Sequence, residues 1–309
     1  MPMTLIEASK IDDGNVVRGP VIEMFARGGD LLRVMPFMDV AGGSYSYTQE
    51  GSLPGVAFRA FNEAYAESTG VINPQVEVLR IVGGDIDVDK ALIKTRGPRV
   101  RSTQTEMKVK AMAGYVLKKM VKGDSITEPR EFDGIQNRLT GSQIIDAGAT
   151  NGGDALSLAK LDEAIDAVDN PTHILMSKAL RRRLTAAQRA TGVSGFITWD
   201  KDEFGQKIAY YNDLPIVIVD MDDDGARILD FNETGSGGST ATATSLYVVS
   251  LGESMLTGLQ NGIMEVDDLG EIDAKPVLRT RVEWLVGMAA LHGRCAARLR
   301  GISNAAVVA

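Results

Sequence analysis

One cysteine, two histidines and two tryptophans in 309 residues leave little for several classes of chemistry. A lone Cys295 cannot close a disulfide within the chain, so stability inside the subunit is expected to be noncovalent, as in a reducing cytosol. His173 and His292 have no Cys, Asp or Glu at metal-ligand spacing, which disfavours a metal centre. His173 sits in an apolar run and is expected as a hydrogen-bonded core imidazole, and His292 as a turn residue. Gly-Lys-Ser/Thr is absent, and Gly235 to Thr240 lacks the spacing and preceding strand of a dinucleotide-binding turn, so no nucleotide cofactor is expected. No apolar run approaches the ~18 residues of a membrane span, and Met1 to Lys10 lacks the basic and apolar regions of a secretory signal. A net charge of -8 weighs against tight, sequence-specific grip on duplex DNA, because phosphate neutralisation supplies much of such affinity.

Two motif matches fail on their surroundings. Ser157-Leu158-Ala159-Lys160 has the four-residue Ser/Lys spacing of acyl-transfer enzymes without the companion motifs, and its Ser opens an amphipathic helix. Asp220 to Gly225 copies the first six positions of a calcium-binding loop, but the twelfth position is Phe231 and a strand precedes it, so a solvated acidic tip is expected. No catalytic, cofactor or metal residues are assigned, and the chain is not expected to be an enzyme.

What is present is patterned surface. From Leu278, the residues Leu278, Thr280, Val282, Trp284 and Val286 alternate with Arg279, Arg281 and Glu283, giving a strand with a core face and a charged face. Gly287, a reversal and an Arg-rich strand with Arg294, Arg298 and Arg300 follow; the charged face is expected to meet neighbours. Earlier, Pro20 is expected to open a short helix stopped at Gly28-Gly29, and Asp30 to Met35 an amphipathic turn. Tyr45 and Tyr47 alternate with serines, and Val56, Phe58 and Ala60 with Ala57, Arg59 and Phe61. These runs predict a projecting β-hairpin with its loop at Gln49 to Gly55. Strands are expected at Val76 to Val82 and Ile86 to Val88.

Val109, Met112, Val116 and Met120 predict a helix over Arg99 to Lys122, with Gly123 at its C-cap. Its lysines Lys108, Lys110, Lys118, Lys119 and Lys122 would face nucleic acid or a neighbouring subunit, and the sequence leaves both open. Gly148 to Gly153 marks a boundary, and Leu158, Leu161, Ile165 and Val168 predict a helix ended at Asn170-Pro171. His173 to Met176 is expected as a buried strand, Ser177 as an N-cap, and Leu180, Leu184 and Ala187 as a helix closing near Gly192. Arg181, Arg182 and Arg183 splay round that helix, so one interface contact is expected of them. Leu214 to Val219 reads as a strand and Gly235 to Ser245 as a surface loop.

Val21 to Ala26, Leu31-Leu32, Met35-Pro36-Phe37 and Leu53 to Arg59 resemble, in that order, the N-terminal arm and extended loop of tailed-bacteriophage major capsid proteins. Gly83 to Asp89, the long helix, Pro171 to Leu184, and Arg281 to Gly287 with Arg294 and Arg298 continue the resemblance along nearly the whole chain. It implies an α+β fold of the HK97 type: N-terminal arm at 1–39, extended β-hairpin loop at 40–75, peripheral domain with spine helix at 76–131, axial domain at 132–252, and a return to the peripheral sheet at 253–309. Self-assembly into an icosahedral shell around double-stranded DNA follows, through hexameric and pentameric capsomers, in a virion built in the host cytoplasm. Candidate interface residues are Tyr45, Tyr47, Phe58, Arg59, Phe61, Arg181, Arg279 and Arg281. Some relatives carry an isopeptide-forming Lys on the loop; none occurs here between Lys10 and Lys90, so a noncovalent shell, or one held by a cement protein, is expected. A separate scaffolding protein and a portal are the expected partners, since little chain precedes the hairpin. An encapsulin-like compartment would share the fold, and a mixed α/β hydrolase or ligand-binding protein would need a concave polar site.

Overall fold

A computed structural model of the chain describes residues 29–190, 196–201 and 207–308. The helix expected from Pro20 and the helix end expected near Gly192 lie outside these residues. In chain order come α1 (Asp30–Val34), β1 (Phe37–Asp39), β2 (Ser44–Ser52), β3 (Val71–Val78), β4 (Arg80–Asp89), α2 (Lys90–Arg96), α3 (Arg99–Lys122), α4 (Ile135–Arg138), β5 (Ile144–Asp146), α5 (Leu158–Asp166), β6 (His173–Met176) and α6 (Lys178–Ala190). Strands β7 (Ile197–Lys201), β8 (Lys207–Tyr211), β9 (Leu214–Ile218), β10 (Glu233–Thr234), β11 (Ala241–Val249), β12 (Leu256–Gln260), β13 (Glu265–Glu271), β14 (Val277–Ala290) and β15 (Ala296–Ser303) follow.

Strand β14 organises the first sheet. Its alternation buries Val282, Trp284 and Val286 and leaves Arg279, Arg281 and Glu283 on the other face, as the period-two pattern predicts. One edge pairs antiparallel with the whole of β4, and the other carries β12 and then β13, with β1 parallel beyond β12. The Phe37 ring meets Trp284 at 5.2 Å between centroids and lies over the Gly258 Cα, where any side chain would strike the ring. Helix α3 covers the core face with Val109, Met112, Ala113, Val116, Leu117, Met120 and Val121, all on one stripe at three- and four-residue spacing.

The second sheet has the order β5-β15-β11-β6-β9-β8-β7, with β10 on β11. Both faces of its central strands are buried. Leu175, Val217, Tyr247 and Val249 join the α3 core, while Ile174, Met176, Ile216, Ile218, Leu246 and Val248 pack under α5 and α6. One strand therefore serves two cores by alternation, which is why its residues are apolar without interruption. The Ser177 hydroxyl accepts from the Leu180 amide at 3.3 Å, the N-cap geometry expected of it. His173 is mostly buried, and burial pushes its pKa down to about 4; Nδ1 lies 2.9 Å from Thr172 Oγ1.

Three expectations need correction. The hairpin exists, but its return strand is Val71–Val78, and residues 53–70 form a long tip without strand pairing; Val56, Phe58 and Ala60 alternate with no sheet beneath them. The C-terminal strand pair divides: β14 closes the first sheet, whereas β15 pairs with β11 and β5 in the second. The Gly/Ser/Thr/Ala run is a loop only to Thr240. Ala243, Thr244 and Ser245 are buried in β11, where small and β-branched side chains fit between β10 and β15.

Candidate assembly surface

The hairpin has a fixed root and a bare tip. At the root, Tyr45 and Tyr47 stack at 5.8 Å on the inward side of β2 and pack on Val40, Leu79, Leu259 and Ala289. Both are half-buried in the subunit itself and do not project, because the inward side of β2 faces the first sheet. Tyr47 donates to Glu77 Oε1 at 3.3 Å, and Arg138 grips Glu77 with both terminal nitrogens, Nη2 lying 2.9 Å from Oε2. The same Nη2 reaches the Met288 carbonyl at 2.9 Å, and Gln49 Nε2 donates to the Ala290 carbonyl at 2.6 Å. Burial, with the adjacent Glu77 carboxylate, pushes the Tyr47 phenol up to about 12.

At the tip, Phe58 and Phe61 are fully exposed at 108% and 100%, Val56 at 96%, and Leu53 at 78%. Arg59 lies over the Tyr65 ring at 5.2 Å and donates to the Glu63 carbonyl at 3.3 Å, so it orders the tip from within. Large apolar side chains at this exposure are uncommon on a lone subunit.

The charged side chains behave differently from expectation. Arg279 makes two hydrogen bonds to Asp87, both 2.7 Å, and Arg281 makes two to Asp85, at 2.7 and 3.1 Å. β14 and β4 are in register there, so these arginines form a cross-strand ladder inside the subunit and are not a free docking face. The hydrogen bonds from these arginines hold the Asp85 and Asp87 carboxyls below the usual carboxylate range. Much of the lysine face of α3 is likewise answered within the chain: Lys118 meets Asp222 at 2.8 Å, Lys119 meets Glu131 at 2.5 Å and Lys122 meets Glu233 at 2.6 Å. Arg298 reaches Glu233 at 2.9 Å and Arg300 reaches Asp146 at 2.5 Å. Arg181 is half-buried on α6, and its neighbour Arg183 donates to Asn304.

The acidic loop after β9 also has a structural occupation. Asp222, Asp223 and Asp224 bring their carboxylates within 4.8 Å of one another. Asp222, however, accepts from the Ala226 amide at 2.8 Å and from Lys118, and the loop backbone lies against α3 at Gly114, where no side chain would fit. An ammonium already stands at this cluster, and it docks the loop on the helix. Cys295 is buried, and burial lifts its thiol to about 11, which leaves it inert as a nucleophile at neutral pH. His292 sits at the β14–β15 reversal, accepting from the Arg294 amide at 3.2 Å. A groove of about 500 Å³ runs between β4 and α3, floored by Val82, Met112 and Val116 and rimmed by Arg80, Ile81, Lys108, Lys119, Arg130 and Glu131. Among the described residues no helix is long and apolar enough to cross a membrane.

Of the eight candidate residues, Phe58 and Phe61 are fully exposed and Arg181 is half-buried on α6. Tyr45, Tyr47, Arg279 and Arg281 are engaged inside the subunit, and Arg59 orders the tip. Sequence reasoning missed Glu77, Arg138 and Gln49, whose partners lie 61 and 241 residues away, a separation that no local pattern encodes.

Residues 12–163 match the model of the family described as Major capsid protein GP7. No curated protein matches the chain. Among solved structures, the holo-SrpI encapsulin complex from Synechococcus elongatus PCC 7942 is similar with a TM-score of 0.66 at 17% identity, covering 90% of this chain and 89% of that one. A chain from Mycobacterium phage Adephagia gives 0.60 at 13% identity over 89% and 90%. The capsid of the native GTA particle gives 0.56 at 12% identity over 89% and 91%.

Proposed function

We propose that the chain is a tailed-phage major capsid protein whose shell is held by hairpin tips seated on neighbouring copies, without covalent links between subunits; the family match over residues 12–163 and the capsid-like fold support this reading. The observation that carries this reading is the tip itself: Leu53, Val56, Phe58 and Phe61 are left uncovered by the described residues, while the root below them is locked in place. A fixed root aims the tip, and aiming lowers the ordering cost of binding. A groove with an apolar floor and a charged rim, such as the one between β4 and α3, has the chemistry to receive aromatic side chains.

In this reading 1–39 is an arm, 40–78 the extended hairpin, the first sheet with α3 the peripheral domain, and the second sheet with α5 and α6 the axial domain. Copies of the chain in hexameric and pentameric capsomers are its main partners, with a scaffolding protein and a portal during assembly in the host cytoplasm, and a cement protein where extra strength is needed. Packaged double-stranded DNA is met without tight grip, supported by the net charge of -8 and by the lysines of α3 that pair inside the chain. The absence of Lys between Lys10 and Lys90 supports the noncovalent reading.

Electron microscopy of the purified chain tests the proposal. Closed shells or regular capsomers from the wild type, and none from Phe58→Ser/Phe61→Ser at unchanged thermal stability, is the expected result. A double variant that assembles normally would refute the tip contact, and a ladder of covalent multimers surviving boiling in detergent would refute the noncovalent shell. Particles holding packaged protein and no DNA would select the compartment reading that the encapsulin likeness raises.

A further inference from the structure

No residue from 90 to 108 is buried, although this stretch is helical through α2 and the first turns of α3. Helix α2 has caps, Asp89 accepting from the Ala91 amide at 2.7 Å and Gly97 at a φ of 83°, but none of its residues is fully buried. Ile93 and Val100 attach the stretch to the core half-buried, and Lys94, Arg96 and Arg99 stand exposed on it. The stretch is also strongly basic: Lys90, Lys94, Arg96, Arg99, Arg101 and Lys108 stand against Glu106 alone, six against one. That local excess is opposite in sign to the chain's net charge of -8.

Beside it on the same end of the first sheet lies the reverse. Strand β13 and its turn carry Glu265, Asp267, Asp268, Glu271 and Asp273 against Lys275, five against one. β13 pairs with β14 on one side only, so its other edge is open. Two ion pairs join the patches within the subunit, Arg101 to Asp268 at 2.5 Å and Lys90 to Glu271. Lys108 is half-buried near Asp85, whereas Lys94, Arg96 and Arg99 on one side and Glu265, Asp267 and Asp273 on the other are exposed and in no ion pair among the described residues. Exposed Leu92, Met107 and Leu269 lie among them at 37%, 59% and 46%.

We infer that this end of the molecule is a second, electrostatic contact between copies, in which the α2 and early α3 cations of one copy meet the β13 carboxylates of the next. The inference rests on the shell reading and adds a contact distinct from the hairpin tip. Two complementary patches side by side make a heterologous surface, which closes into a ring where rotation about an axis near this end brings the basic patch of each copy to the acidic patch of its neighbour. Leu92, Met107 and Leu269 supply its apolar centre, and the unpaired charges its rim. The Gly270 bulge, at a φ of 68°, and the dense carboxylates keep the β13 edge from pairing as a strand, so side chains carry the contact. Packaged nucleic acid is the weaker fit for the cations, because the flanking carboxylates repel phosphate.

Charge exchange on the full chain tests this. Lys94→Glu/Arg96→Glu/Arg99→Glu and Glu265→Lys/Asp267→Lys/Asp273→Lys are expected each to reduce closed-shell yield by about tenfold or more, and the combined variant to restore it to within about twofold. Single-patch variants that close shells like the wild type, or a combined variant no better than its parents, would overturn the inference. Normal shells that have lost only their DNA would assign the cations to nucleic acid instead. If a reversal fails to fold, the neutral Lys94→Gln/Arg96→Gln/Arg99→Gln variant replaces it: its shells are expected to dissociate at lower salt than wild-type shells, and an unchanged salt midpoint would equally overturn the inference. Failure of the wild type itself to form shells would instead count against the shell reading.

Discussion

The two ends of one hairpin use the same residue types for opposite purposes. At the root, Tyr45 and Tyr47 stack on each other and on Leu79 and Leu259, and Gln49, Glu77 and Arg138 fasten the strands to the ends of β14 and α4. At the tip, Phe58 and Phe61 touch nothing of comparable size and stand fully in solvent. Aromatic content therefore says little by itself. An aromatic beside the subunit's own core stabilises the subunit, and one carried beyond the last strand pair, in the tip at 53–70, is available to stabilise a neighbour.

That contrast predicts a graded series. Arg138→Leu leaves Glu77 without its main partner in a mostly buried site and is expected to cost about 3 kcal/mol, read as a lower denaturant midpoint of the unassembled chain. A loss under about 0.5 kcal/mol would show that the root is not held by this pair. Gln49→Ala removes the bond to the Ala290 carbonyl and should cost about 1 kcal/mol by the same measurement. Phe58→Ser/Phe61→Ser should leave the midpoint within about 0.5 kcal/mol while abolishing shells. If the tip variant melts early, the tip is packed on its own subunit and the contrast is wrong.

Alkaline pH probes the root. The folded-state value of Tyr47, raised to about 12 from 10.0, means that the fold favours the neutral phenol. Its contribution is complete below about pH 10 and is lost as pH climbs toward 12. Part of the chain's alkaline destabilisation should therefore vanish in Tyr47→Phe. An identical stability profile in that variant between pH 9 and about 12 would remove Tyr47 from the root.

Much of this architecture was legible in the residues. The stripe of Val109, Met112, Val116 and Met120 placed α3 at its observed ends, and the alternation around Trp284 placed β14 with the correct face inward. Pairing was less legible. β3 carries Pro74 and exposes Val71, Ile72, Val76 and Val78, so it reads poorly as a strand, while Val56 to Phe61 alternates as a strand should and has no partner. β15 was recognised as a strand, but a two-sided apolar pattern does not say which sheet it joins. The arginines of β14 were read as free because the Asp85 and Asp87 that answer them lie 196 and 192 residues away in sequence. At the hairpin, the sequence singles out the tip aromatics and is silent on the Glu77–Arg138 latch at the root.

The most direct measurement uses the chain's shortage of cysteine. Cys295 is buried with its thiol lifted to about 11, so Phe58→Cys would supply the one readily reactive thiol among the described residues. Its labelling rate should be fast in the unassembled chain and at least about tenfold slower in closed shells, because a neighbouring copy covers the tip. Equal rates in both states, in shells verified by electron microscopy, would contradict the claim that hairpin tips hold the shell together.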